Sequence, residues 1–171
     1  MQTSSMWFYK KEMLPVSKSM KRVKAALEAA GIEQNIFEME ESTRTAQDAA
    51  IACKCDVGQI VKSLIFEGEE SGELVLLLVS GAHNVDMEKV KAVTGEGLGR
   101  ADPKRVRDVT GFAIGGVSPV GHLSPIRAFL DPRLFDFDII WAAAGTPHHV
   151  FSAKPSDLER ISAAQASDFT S

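Results

Sequence analysis

Gln59-Ile-Val-Lys-Ser-Leu-Ile-Phe66, then Glu67-Gly-Glu-Glu-Ser-Gly72, then Glu73-Leu-Val-Leu-Leu-Leu-Val79 is the stretch on which the fold turns. Two apolar runs of strand length flank an acidic, glycine-bearing turn, the pattern of a β-hairpin. Side chains alternate along a strand, so Ile60, Lys62, Leu64 and Phe66 share one face and Val61, Ser63 and Ile65 the other. That puts an ammonium in the middle of an apolar face. Burying it unpaired would cost several kcal/mol, about 3–5 pKa units of depression. Such a lysine either snorkels from an edge strand or lines a cavity where it meets an anion or a polarised carbonyl.

Before the hairpin, Met20, Val23, Leu27 and Ala30 repeat at helical spacing with Lys18, Lys21, Arg22 and Glu28 on the other side. Ser17 is the expected N-cap and Gly31 the stop. A short strand is expected at 35–39, and Thr45-Ala-Gln-Asp has the form of a capping box opening a second helix to about Cys53. After the hairpin, helices are expected at 86–93 and from Pro103 to about Val109, with a brief strand between them. Gly111 to Gly121 is the densest glycine and proline region. Strands near 127–130, 138–144 and 149–153 follow, then a helix over 155–162.

Hairpins and irregular alternation favour an α/β (α+β) domain over a doubly wound one. The expected sheet is mixed, largely antiparallel and barrel-like, flanked by helices. The expected organisation is a flexible leader at 1–16, one domain at 17–162 and a frayed tail at 163–171.

The chain has 171 residues, 44% hydrophobic and 25% charged, which suits one domain with a core that needs no staples. Nineteen basic residues against 23 acidic leave a net charge of −4, so a nucleic-acid contact needs a local patch. Candidates are Lys10 and Lys11, Lys18 to Lys24, and Arg100 to Arg107. The longest apolar run, Leu74 to Val79, falls far short of the ~18 residues of a membrane span. The N-terminus has no signal-peptide pattern, and two cysteines make no disulfide framework, so the expected address is cytoplasmic.

Gly115-Gly-Val-Ser-Pro-Val-Gly121 is a second candidate site. Paired glycines let backbone approach a ligand and present N–H groups to an oxyanion, and Pro119 would hold that presentation rigid. Glycine loops also simply make turns, and this one fits neither GxGxxG nor the phosphate-loop pattern. Cys53-x-Cys55 with His148-His149 invites a metal reading. Zinc sites space cysteines more widely, however, and these two diverge by ~200° on a helix. One buried and one surface thiol is the simpler reading. No nucleophile elbow is present, and no spacing joins His83, His122, His148 or His149 into a triad.

Val57-Gly-Gln-Ile-Val-Lys-Ser-Leu-Ile-Phe66 resembles the lysine-bearing strand of the YbaK and prolyl-tRNA synthetase-associated editing-domain family. Val109-Thr-Gly-Phe-Ala-Ile-Gly-Gly-Val-Ser-Pro-Val-Gly121, Lys154-Pro-Ser-Asp-Leu158 and the pocket-entry segment Glu41-Ser-Thr-Arg-Thr-Ala46 resemble further parts of it, in the family's order. The similarity runs over roughly 17–162.

The resemblance implies hydrolysis of mischarged aminoacyl-tRNA in trans, chiefly tRNA for proline carrying alanine or another small wrong amino acid. Lys62 is implied as the essential lysine near the terminal adenosine and its phosphate or ester. Gly115, Gly116, Val117, Ser118 and Pro119 match the GxxxP loop that holds the ester by backbone contacts, with Gly115 beside Lys62 in the catalytic set. Thr45, Ser63, Ala144 and Gly145 are implied substrate-binding positions, Ser63 setting pocket size. Ala143-Ala144-Gly145 stands where cysteine-specific members resemble Ser-Gly-Gly, which weakens a cysteinyl substrate. The implied partners are the acceptor end of aminoacyl-tRNA and prolyl-tRNA synthetase, with no membrane. An ester is already activated, so no covalent nucleophile is required; no cofactor and no metal are expected. The rival reading is a catalytically silent tRNA- or synthetase-binding module of the same fold.

Overall fold

The computed structural model describes residues 17–40, 43 and 45–171; the expected leader at 1–16 lies outside them. The elements are α1 (Lys18–Ala29), β1 (Ile36–Glu38), α2 (Ala46–Cys53), a 3-10 turn (Val57–Gln59), β2 (Val61–Gly68), β3 (Leu74–Ser80), α3 (Met87–Thr94), β4 (Leu98–Arg100) and α4 (Pro103–Thr110). Then come β5 (Arg127–Leu130), a second 3-10 turn (Pro132–Asp136), β6 (Ile140–Ala143), β7 (His149–Ala153), α5 (Pro155–Ser162) and β8 (Gln165–Ala166).

The helix ends are made by the chemistry the sequence offers. Ser17 accepts from the Met20 amide and Thr45 from the Asp48 amide, each 3.0–3.1 Å away. A reciprocal capping box occurs not at Thr45 but at Asp56 and Gln59, where side chain and backbone exchange both bonds.

The β2–β3 hairpin is present, with Lys62 opposite Val79 and Ser63 opposite Leu78. Five strands form one sheet in the order β4-β2-β3-β5-β8, and β1-β7-β6 form another. Among the described residues only the strand pairs β3–β5 and β5–β8 run parallel. Among them a parallel bridge, Ile60 to Trp141, joins the sheets, so the barrel-like arrangement is two sheets meeting at a seam rather than a closed cylinder.

All seven residues of β3 are buried, which is why its sequence is a continuous apolar run. Leu74, Leu76 and Leu78 pack with α1, α4, α5 and the smaller sheet, through Val23, Val106, Leu158 and Phe151. Val75, Leu77 and Val79 pack with Val90, Leu98 and Phe129 on the other side. A third cluster joins Ala49 and Ala50 of α2 to Ile60 at the seam.

The tail at 163–171 is not frayed. Gln165 and Ala166 pair with Phe129 and Leu130, Phe169 is fully buried in the second cluster, and Thr170 bridges Val85. One aromatic side chain covers apolar surface that the face of Leu64 and Phe66 would otherwise leave open to water.

Candidate functional site

Lys62 lies two residues into β2 on the face of Leu64 and Phe66, as alternation requires. Its side chain is half-buried, and its ammonium donates to the His83 carbonyl oxygen at 2.5 Å. Burial lowers its pKa below the ordinary 10.5, and the nearby Asp131 carboxylate pulls the other way. The lysine is thus neither stranded among hydrocarbon nor simply snorkelling, because the loop after β3 supplies it an oxygen.

Thr45 and α2 come to the same end of the sheet. A Cβ on Gly81 would sit 2.9 Å from Ala46 Cβ and 3.3 Å from Ile60 Cβ, so Gly81 lets the first turn of α2 settle there. Thr45 itself is exposed and spends its hydroxyl on capping.

The loop at 111–121 is built from the other side of the large sheet. Gly116, Val117, Ser118 and Pro119 are buried, while Gly115 is exposed with φ +96°, a conformation closed to most side chains. Arg22 of α1 braces both ends of the loop. It donates to the Gly111 carbonyl at 2.5 Å and the Gly121 carbonyl at 3.2 Å, with its guanidinium 4.9 Å from the Phe112 ring centre. His122 donates from Nε2 to the Ser118 carbonyl at 2.6 Å, and burial pushes its pKa down, keeping it neutral. A Cβ on Gly116 would lie 3.0 Å from the Thr146 backbone, so the loop rests against the turn after β6. In that turn Gly145, at φ +98°, meets the Ser19 backbone, and Thr146 Oγ1 and His149 Nδ1 stand 2.6 Å apart.

Ser63 belongs with this second group. Its face of β2 is that of Val61, whose cluster also holds Val117 and Ala144, and its hydroxyl is buried without a hydrogen-bond partner among the described residues. The candidate residues therefore form two groups on opposite faces of β2. Lys62 stands beside the loop after β3, whereas Gly116, Val117, Ser118, Pro119, Ala144 and Gly145 lie in or against the glycine loop, and Ser63 is on the β2 face whose cluster includes Val117 and Ala144.

The structure also changes the basic patches. Arg22, expected on the solvated side of its helix, is spent on loop carbonyls, and Arg105 pairs with Glu67. Lys18, Lys21, Lys24, Arg100, Lys104 and Arg107 remain exposed.

Cys53 and Cys55 are free thiols. Burial, and secondly the neighbouring Cys55, push the Cys53 pKa up to about 12; burial and Asp56 raise that of Cys55. Both stay protonated near neutrality, and a thiol in that state is a poor nucleophile and ligand. Alkylation of the native protein at pH 8 should be far slower than of the unfolded chain. A Cys53→Ala/Cys55→Ala protein should keep full activity, and loss of activity there would give the thiols a part in the chemistry. Among the described residues, no three His, Cys, Asp or Glu side chains are grouped as a metal site, and no helix is long and apolar enough to cross a membrane.

A family model for the aminoacyl-tRNA editing domain matches residues 40–161. The chain is 28% identical over 144 residues to the uncharacterized protein YwhH of Bacillus subtilis, covering 84% of this chain and 91% of that one. To the proline–tRNA ligase of Chromobacterium violaceum it is 40% identical over 77 residues, which are 44% of this chain and 13% of the ligase. It therefore corresponds to only a small part of that enzyme's length. A solved structure described as a candidate trans-editing enzyme for prolyl tRNA synthetase superposes with a TM-score of 0.84 at 46% identity, over 92% of this chain and 99% of that one. The fold is that of this solved structure, the family match spans well over half of the residues, and the chain belongs to the aminoacyl-tRNA editing domain family.

Proposed function

We propose that this chain is an aminoacyl-tRNA deacylase acting in trans, hydrolysing the ester of tRNA for proline that carries alanine or another small non-cognate amino acid. The observation that carries the reading is the hydroxyl of Ser63, buried and without a hydrogen-bond partner among the described residues, on the β2 face whose cluster includes Val117 and Ala144. A buried polar atom left unpaired costs stability, and a ligand group that pairs with it recovers that cost.

The placement of the two groups supports a division of work. The ester sits at Ser63 and the glycine loop, whose backbone holds the carbonyl while water adds and the ribose oxygen leaves. The ammonium of Lys62 meets anionic charge at the adenosine and phosphate end. Excluding proline by size is feasible, but one methylene is worth only about 1–3 kcal/mol, so small esters compete with one another.

The deciding assay charges tRNA for proline with alanine, cysteine, serine and proline in turn. Release of a small wrong amino acid with proline spared supports the reading. No turnover on any member, with tRNA binding retained, replaces it with the binding-module reading.

The tRNA body would meet the exposed lysines of α1 and the basic residues around α4. Reversing Lys18, Lys21 and Lys24 to glutamate should raise KM with kcat unchanged. It should also flatten the salt dependence by about 0.9 in log–log slope for each duplex phosphate no longer neutralised. An unchanged slope would move the tRNA-binding surface elsewhere.

A further inference from the structure

We propose that Asp131 and His83 form a positioning pair that fixes the Lys62 ammonium, Asp131 holding the His83 ring and the His83 main chain holding the lysine. The catalytic meaning of the pair rests on the role proposed above for Lys62; its existence does not.

Asp131 is fully buried at the end of β5. One oxygen accepts the Arg133 amide at 3.0 Å and caps the 3-10 turn, a task that Asn or Ser performs equally well. The other accepts the Ser80 amide at 3.1 Å and faces His83 Nδ1 at 3.0 Å. A buried carboxylate is costly unless its oxygens are satisfied, and here the loop after β3 supplies the last partner. An ionised carboxylate only accepts, so the proton of a neutral His83 lies on Nδ1 and Nε2 is left as an acceptor.

The ring is thereby tied to the rigid end of β5, and with it the backbone between Ser80 and His83. The His83 amide donates back to the Ser80 carbonyl at 3.0 Å, closing the turn. Its own carbonyl points at Lys62 Nζ. A lysine has a flexible four-carbon stem and three rotatable donors, so it holds one place only if something anchors it. The Asp131 charge also favours the protonated lysine, against the effect of burial.

The test compares wild type, His83→Ala, His83→Asn, Asp131→Asn and Lys62→Ala by steady-state deacylation. It also compares the rate at which an amine-acylating reagent labels Lys62 in the free protein, read by mass spectrometry. His83→Ala leaves both backbone amides on Asp131, so it keeps the fold even if Asp131→Asn does not. Expected for His83→Ala is a kcat about 10- to 100-fold lower with KM little changed, and faster labelling of Lys62. The asparagine amide stands where Nδ1–H stood, so His83→Asn should restore both properties. Wild-type kcat and labelling in His83→Ala overturn the pair. A defect in His83→Asn equal to that of His83→Ala, with Lys62 labelled as in wild type, also overturns it and makes the ring a proton acceptor instead. If wild type deacylates nothing on the panel, the function above fails, and labelling alone decides: faster labelling in His83→Ala supports the pair, equal labelling rejects it.

Discussion

Replacing Lys62 by alanine lowers kcat/KM for deacylation by about 10²- to 10³-fold and leaves the unfolding midpoint near that of the wild type. That is the usual loss when one preorganised charge-stabilising group is removed from a site. The fold should survive because the half-buried ammonium contributes little to it: its loss of hydration and its bond to the His83 carbonyl work against each other. Lys62→Met keeps the apolar stem and removes the charge, so it should be as inactive as alanine. Lys62→Arg should recover little, because a planar fork does not reproduce a compact ammonium donating to one carbonyl. The pH profile carries the same assignment. Burial lowers the lysine's pKa, so the charge disappears as pH rises through a value below 10.5, and kcat/KM should fall on the alkaline side earlier than for an ordinary lysine. Uncatalysed ester hydrolysis, which also rises with pH, is subtracted from each point. A folded Lys62→Ala protein with the wild-type rate would remove Lys62 from the mechanism.

Much of this arrangement is legible in the residues because it depends on local pattern. The run Leu74 to Val79 announces a strand buried on both faces, and α5 and β7 fall where Pro155 and the residues 149–153 place them. Alternation along β2 is by itself enough to separate Lys62 from Ser63. What it leaves open is which face the glycine loop joins, since Val117 meets Val61 across more than fifty residues of chain. The features that depart from the sequence pattern share that cause. Arg22 looks solvated from helical periodicity, yet its guanidinium reaches carbonyls 89 and 99 residues away. The tail looks frayed because a two-residue strand has no period to detect, and its pairing with β5 is set by Phe169 finding an apolar face. Asp131 and His83, 48 residues apart, carry no spacing signal at all. The Asp56–Gln59 capping box is local, but it lies beside an apolar strand whose stronger pattern masks it.

Two alanine substitutions at adjacent glycines test whether the loop acts as a backbone cradle, because they fail for opposite reasons. At Gly115 there is open space around the missing Cβ, but φ is +96°. Alanine there forces strain of about 1–3 kcal/mol or a backbone rotation that turns the exposed peptide away. At Gly116 φ is unremarkable, but a Cβ would lie 3.0 Å from both Thr146 Cα and its carbonyl carbon. Neither is the flexible end of a side chain, so the loop must move off the turn after β6 by some tenths of an ångström. That turn is itself pinned, with Gly145 against α1 and Thr146 paired to His149, and it cannot yield in turn. Positioning of reacting groups is sensitive on this scale, and displacement near 1 Å costs about 10²-fold. Both variants should therefore lose about 10- to 100-fold in kcat. Both should also lower the thermal unfolding midpoint, Gly115→Ala through backbone strain and Gly116→Ala through the close contact with Thr146. A loop that merely turns the chain predicts something else: lower midpoints in proportion to strain, with kcat unchanged in whatever fraction remains folded. Wild-type kcat in folded Gly116→Ala would therefore take the loop out of the reaction.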